Sequence, residues 1–345
     1  MPGRRKPTIN EVAHLAKVGI GTVSRVLNNH PAVRPETRAR VQAAMESLGY
    51  RPNPHARRVA GGRSYTVSVI LPFVATEFYT RLIEGIEQVL QQERYDLALF
   101  PLLSRSRLER YLESSTFAYQ TDGLIIASYD LTELFGGNLL PTDRPVTLVD
   151  AYNEHYDSSY MDNPLGGALA AEYLAQFPGE IFAIKLEEDI DRAFAKTTFG
   201  GRLAGFQHKL AELGRSLPQT HLYTTRFSAE GGQLALRQFI AQSPPPYNIF
   251  AGADLIALGV LEEAERQGLK IGHEVRVLGY DGQPWTEARG LSTLAQPVEA
   301  MGAEAARMLL KRIGGYRGAP RAVRFTPTLL ERASTAPRAP IPAHP

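Results

Sequence analysis

Residues 8–29 read TINEVAHLAKVGIGTVSRVLNN. Thr8 and Glu11 stand at capping-box spacing, the hydroxyl accepting from the amide of Glu11 and the carboxylate reaching back to that of Thr8. Val12, Leu15 and Ala16 then fall on one face, predicting a short helix to about Lys17, broken at Val18-Gly19. A second helix follows from Gly19 or Ile20 to Leu27, with Val23, Val26 and Leu27 inward. Two short helices joined by a tight turn are a helix-turn-helix. Gly19 and Gly21 are out of place there, since a glycine costs about 1 kcal/mol in a helix interior.

Working outward, Pro35 suits a first helical position, and Val41, Ala44, Met45 and Leu48 give the third helix an apolar face that Gly49 ends. Asn53-Pro54 opens a further short segment to about Ala60, terminated by Gly61-Gly62. Residues 1–64 carry 12 Lys/Arg against three acids, while the other 281 residues carry 26 basic and 33 acidic side chains. A small basic module on a larger acidic body points to nucleic acid as its partner.

TINEVAHLAKVGIGTVSRVLNN together with VRPETRARVQAAMESLGYRPNPHARRVAGGRS resembles the DNA-binding head of the lactose/galactose repressor (LacI/GalR) family. The resemblance implies that the second helix lies in the major groove, with Ile20, Gly21 and Arg25 at the base edges. Arg25 can bond guanine O6 and N7 together, Ile20 can meet a thymine methyl, and Gly21 reads nothing but lets the backbone approach. Thr8, Thr22, Ser24 and Asn28 are expected at phosphates. Residues 53–64 match a hinge helix, with Asn53, Ala56 and Arg57 at the minor groove and Val59 as its apolar wedge, where leucine is usual.

From Tyr65 the pattern changes. TVSVILP, DLALFPLL, DGLIIAS and PVTLVD, then EIFAIKL, HLYTTRF, NIFAGAD and VRVLGYD, are short apolar runs separated by helix-length segments. That alternation predicts parallel strands with crossover helices, arranged as two doubly wound lobes. The resemblance continues to about Thr335 and implies a periplasmic-binding-protein-like body whose chain crosses between lobes near 162–165, 293–297 and 326–328. The expected division is a head over 1–52, a hinge over 53–64, a body over 65–335 and a Pro/Ala-rich tail over 336–345. Within the body, lobe 1 takes about 65–163 and 295–326, and lobe 2 about 164–294 and 327–335.

A small effector is expected between the lobes, at the C-terminal ends of strands. The resemblance carries that role to Phe78, Tyr79, Asp162, Arg202, Phe227 and Asp281. Arg202 and Asp281 suit charge-assisted bonds to hydroxyls, and Phe78 and Phe227 suit stacking on a sugar ring. Arg202, between apolar neighbours in GGRLAGF, calls for an anionic or multi-hydroxyl partner. Ala253 stands where the family often has Asn, and Phe73 where Asp is frequent, so one polar arm is missing.

Other classes find less support. Cysteine is absent, which excludes disulfides, thiolate zinc sites and cysteine nucleophiles. The eight histidines are scattered without metal-ligand spacing, and no nucleotide-binding glycine motif follows a strand, so neither enzyme, metal nor cofactor is expected. No apolar h-region follows the basic N-terminus, leaving a cytoplasmic protein as the expectation and a solute-binding protein as a weaker rival. The reading is therefore a homodimeric repressor of a pseudo-palindromic operator, induced by a sugar or sugar derivative. A purine-type corepressor is the alternative. The tail APRAPIPAHP has no leucine heptad, so no tetramer-forming coiled coil is expected.

Overall fold

The computed structural model describes residues 7–27, 32–50, 63–72, 76–101, 106, 107, 109, 110, 121–187 and 196–335. Asn28, the hinge residues Asn53, Ala56, Arg57 and Val59, Phe73 and the tail lie outside these. The described residues divide into two compact units.

The smaller unit is helical. The helices α1 (Ile9–Leu15), α2 (Ile20–Leu27) and α3 (Pro35–Leu48) enclose Val12, Ala13, Ala16, Val23, Val26, Val41 and Ala44. The capping box forms, with Thr8 N donating to Glu11 Oε2 at 2.6 Å and Glu11 N to Thr8 Oγ1 at 3.4 Å. The first helix stops earlier than expected: Leu15 is its last residue and Ala16 its cap, because Lys17 turns the chain with φ 52°. Pro35 opens α3 and Gly49, at φ 61°, closes it.

The larger unit contains two six-stranded sheets. In the first, β1 (Thr66–Leu71), β2 (Asp96–Pro101), β3 (Gly123–Ala127), β4 (Val146–Val149), β5 (Asp157–Met161) and β11 (Ala322–Phe325) lie in the order β2-β1-β3-β4-β5-β11, all parallel. The second holds β6 (Glu180–Leu186), β7 (Leu222–Thr225), β8 (Tyr247–Phe250), β9 (Val275–Asp281), β10 (Ser292–Ala295) and β12 (Thr328–Leu330). Its order is β7-β6-β8-β9-β10-β12, with only β12 antiparallel to its neighbour. The chain thus passes between sheets after β5, after β10 and after β11, and the strand order reverses beside β1 in one sheet and β6 in the other. Open α/β sheets bind ligands at such reversals, beyond the carboxyl ends of the strands.

The helices are α4 (Glu77–Gln92), α5 (Leu131–Phe135), α6 (Asn163–Leu174), α7 (Lys196–Glu212), α8 (Ala229–Gln242), α9 (Asp254–Arg266) and α10 (Val298–Ile313). Helices α4 and α10 cover one face of the first sheet. The second sheet is covered on both faces, by α8 and α9 on one and by α6 and α7 on the other. This is why β9 is buried along its whole length: Val275 and Val277 pack on one layer, Leu278 and Tyr280 on the other.

Each of the three helix pairs closes on a reciprocal pair of glycines. A Cβ on Gly85 of α4 would run into the carbonyl of Glu299 on α10, and one on Gly302 into that of Leu82. Gly167 of α6 likewise faces Arg202 O of α7, and Gly205 faces Pro164 O. Gly232 of α8 faces Ile256 O of α9, and Gly259 faces Ala229 O. In every pair the carbonyl met lies three residues before the partner glycine, so backbone touches backbone twice and Cα–H groups approach carbonyls across the seam.

Candidate nucleic-acid interface and effector cleft

In the head, Val23 and Val26 turn one side of α2 into the core. The helical period leaves Ile20, Gly21 and Arg25 exposed on the other, with Thr22 and Ser24 half-buried beside them. Ile20 is 51% exposed, its side chain open to a partner in the groove. Arg38 of α3 donates to Val26 O at 3.5 Å, steadying the last turn of α2. Neither glycine is there for room or conformation. A Cβ at Gly19 or Gly21 would meet nothing within 4 Å, and neither residue has a positive φ. Gly19 occupies the cap position, its carbonyl accepting from Thr22 N at 2.8 Å and Val23 N at 3.2 Å, but it offers no side-chain cap. Nothing among the described residues of the head requires these two glycines.

In the body, the ends of β3, β4 and β9 converge. Ser128, Asp150 and Asp281, each one residue beyond or at a strand end, all have positive φ, at 62°, 54° and 117°. Non-glycine residues held in this region are strained, and such strain clusters at ligand sites. Asp150 accepts from Ser128 Oγ at 2.6 Å through Oδ2, while its buried Oδ1 has no donor among the described residues. Burial pushes the Asp150 carboxyl up to about 6, against the opposing pull of the Ser128 bond and the Arg202 charge. Tyr79 is buried beside this group, and burial together with Asp150 raises its hydroxyl well above the ordinary tyrosine value.

Arg202, 2% exposed, reaches the end of the second sheet from α7. Its Nε donates to Asn163 Oδ1 at 3.0 Å, and its Nη1 to Gly252 O at 2.7 Å and Asp281 Oδ1 at 3.3 Å. The guanidinium lies 3.7 Å from the ring centroid of Tyr280 and 4.9 Å from that of Phe199. The partner that the sequence reading looked for outside the chain is therefore largely inside it; Nη2 alone makes no hydrogen bond among the described residues. Asp281 also accepts from Gln296 Nε2 at 2.7 Å, which fixes the amide so that the buried Gln296 Oε1 is an acceptor without a donor. Behind it, Asp254 accepts from Gln283 N at 2.8 Å and Thr293 Oγ1 at 2.7 Å. Burial and the neighbouring Asp281 charge raise Asp254 to about 8, and burial raises Asp281 as well, against the pull of the Arg202 charge and the Gln296 bond.

The expected residues thus divide. Arg202 and Asp281 meet directly, and Tyr79 shares their electrostatic surroundings. Asp162 caps α6 through Leu165 N at 2.9 Å and pairs with Arg324 at 3.2 Å, next to the Asn163 that holds Arg202. Phe227 is exposed and tilts against Phe199 at 6.2 Å, one ring removed from Arg202. Phe78 stands apart: it packs against the core of the first sheet, edge-on to Tyr79 at 5.1 Å. Asp150, Ser128, Asn163 and Gln296 were missed. Asp150 had a signal, since TLVD ends an apolar run on aspartate as LGYD does at Asp281. Among the described residues, no group of His, Asp and Glu is placed to hold a metal ion, and no helix is long and apolar enough to cross a membrane.

This fold and these two surfaces define a DNA-reading helical head on a two-lobed, ligand-binding body. Residues 8–53 match the model of bacterial regulatory proteins of the lacI family, and residues 191–335 that of a periplasmic binding protein-like domain. Catabolite control protein A of Priestia megaterium is 31% identical over 312 residues, 88% of this chain and 92% of that protein. A crystal structure of a probable transcription regulator from Thermus thermophilus is 61% identical, with a TM-score of 0.69 over 78% of this chain and 97% of that one. The transcriptional regulator CelR in complex with cellobiose is 28% identical, with a TM-score of 0.67 over 95% of this chain and 100% of that one. The chain belongs to the LacI family: it is a DNA-binding transcription regulator whose body takes a small effector.

Proposed function

We propose that this regulator is a cytoplasmic, homodimeric repressor, without catalysis of its own, that releases a pseudo-palindromic operator when a sugar or sugar derivative enters the cleft. The head over 1–52 reads base edges with Ile20 and Arg25 and lets DNA approach Gly21, with Thr8, Thr22, Ser24 and Asn28 on phosphates. The hinge over 53–64 brings Asn53, Ala56, Arg57 and Val59 to the minor groove. The body over 65–335 binds effector with Asp150, Arg202, Asp281 and Gln296. Tyr79 and Asp162 stand close by, Phe227 is the aromatic wall, and Phe78 is an indirect support. The tail over 336–345 forms no tetramer-making coiled coil.

One observation carries the choice of effector. Asp150 Oδ1 and Gln296 Oε1 are buried acceptors that lack donors among the described residues. Leaving such groups unpaired costs about 1–3 kcal/mol each, more for a charged one, so the fitting ligand is rich in hydroxyl donors. A phosphorylated sugar would set its charge against Asp150 and Asp281, with the guanidinium of Arg202 already bonded to Asp281. The CelR–cellobiose complex supports the same class of ligand.

The test is a thermal-shift screen of the full-length protein against neutral sugars, sugar phosphates and purines. A neutral sugar is expected to raise the melting temperature of the parent and of Arg25→Ala, but not of Arg202→Ala or Asp281→Ala. The latter two should still bind operator without responding to ligand. A purine or a sugar phosphate as the stabilising class, or a normal response in either cleft variant, overturns the assignment.

A further inference from the structure

Arg81 is placed where the two lobes meet. It projects from α4, beside the first sheet, and its side chain is 14% exposed. Nε and Nη2 grip Glu299 of α10 as a fork, at 2.6 and 2.9 Å. The planar guanidinium has donors left over, and two of them reach the loop after Asp281 and the crossing between the lobes. Nη1 donates to Gly282 O at 3.1 Å, and Nη2 to Gln296 O at 3.4 Å.

Those two carbonyls belong to residues that set the position of Asp281. Gly282 follows it directly and is wedged against Ala295, its φ of 70° leaving no space for a side chain. Gln296 donates twice to Asp281, from its amide N to the carbonyl at 3.2 Å and from Nε2 to Oδ1 at 2.7 Å. Gln296 also lies in the crossing from β10 to α10. One guanidinium therefore spans the first lobe, the loop carrying Asp281 and the connection between the lobes. A lysine could keep the attraction to Glu299 but, as a point charge, could not reproduce the fork and both carbonyl bonds.

We propose that Arg81, oriented by Glu299, is an interlobe clasp: a positioning residue that holds the Asp281 loop and must loosen before the lobes change their closure. This rests on the reading of the cleft as the effector site, and it adds a route by which an event at Asp281 reaches the first lobe. A ligand acts on a two-state protein only through contacts that differ between the states. The bond of Arg81 to Gly282 is such a contact, because its two ends belong to different lobes, and the bond to Gln296 ties it to the crossing between them.

Hydrogen exchange on the ligand-free, full-length protein tests the clasp without requiring the effector's identity. The amides of Gly282, bonded to Thr293 Oγ1, and of Gln296 are the reporters, with Val69 in β1 and Ile249 in β8 as references. In Arg81→Lys, exchange at the two reporters is expected to rise at least tenfold while the references stay within twofold of the parent. Glu299→Gln should give the same pattern at lower amplitude, because a neutral amide still orients the guanidinium in part. The single tryptophan, Trp285, lies in the short turn after Gln283 and should become more accessible to acrylamide in both variants. Reporters unchanged in Arg81→Lys, or reporters and references accelerated equally, overturn the proposal. A failure of the cleft reading shows itself separately, as a parent protein that no sugar stabilises while this exchange pattern still appears.

Discussion

Gly21→Ala isolates what the second helix is shaped for. Gly21 is the second residue of α2, its φ is not positive, and a Cβ there meets no atom within 4 Å. Alanine should therefore fit without strain and relieve the glycine penalty, which is about 0.5–1 kcal/mol in a helix. Hydrogen exchange of α2 amides in the full-length protein should slow by about two- to fivefold, the factor that this energy corresponds to. DNA binding should move the other way. The new methyl stands on the exposed face between Ile20 and Arg25, where the backbone is proposed to approach the groove. If it crowds the interface as an extra methyl crowds a packed core, at about 1–3 kcal/mol, affinity falls by about 5- to 150-fold. Fluorescence anisotropy on a duplex selected by the parent from a random pool measures that loss. Gly19→Ser is the companion, expected to stabilise α2 by a few tenths of a kcal/mol through a restored cap. A Gly21→Ala protein that is stabilised yet binds the selected duplex as tightly as the parent would refute the close-approach argument.

Gly232→Ala should do the opposite inside the body. Its Cβ would meet backbone only, Ile256 O and C and Val260 N, the last at 3.0 Å, so α8 and α9 must part. Overpacking of about 1–3 kcal/mol then outweighs a helix-propensity gain of about 1, and the urea midpoint should fall. Asp157→Asn should cost about 2–3 kcal/mol, less than a fully buried broken pair, because Arg312 and Arg321 keep some solvent contact. Burial pushes Asp157 up, but its bonds from those two arginines outweigh this and hold it at about 2. Since that value lies below the unfolded one, the parent should carry this stability above about pH 4 and lose it as pH falls toward 2, a dependence missing from the variant. For Asp150 the sign is reversed: its folded value of about 6 exceeds the unfolded one, so folding takes up a proton in that window and stability falls as pH rises through it. Effector held by the ionised carboxylate should bind about tenfold more weakly one pH unit below that value, and Asp150→Asn should flatten the profile in calorimetric titration.

Much of this architecture could be read from the chain. Strands such as β3 are buried at every residue, so they announce themselves as unbroken apolar runs, and the capping box at Thr8 and Glu11 is a local contact three residues long. Arg202 and Asp281 were visible as charges among apolar neighbours. What joins them was not, because 79 residues separate the pair and tertiary packing alone brings them together. The same holds for Arg81 and Glu299, 218 residues apart. Phe78 shows the converse: an aromatic residue at the mouth of a helix reads equally as wall or as core, and here it is half-buried, packed against the core of the first sheet. Gly85, Gly167, Gly205, Gly232, Gly259 and Gly302 carry no local signal of their purpose, and only the facing carbonyls explain them.

Those six glycines also limit how the body can move. A seam in which each carbonyl sits over a bare Cα on the neighbouring helix cannot slide along its axis without driving that oxygen into an ordinary side chain one residue on. Shear between α4 and α10, α6 and α7, or α8 and α9 is thereby suppressed, and each lobe behaves as a stiff plate. The freedom left to the molecule is then rotation at the three crossings after β5, β10 and β11. A message from the cleft must travel as a change of angle between plates, and its reach grows with distance from the crossings.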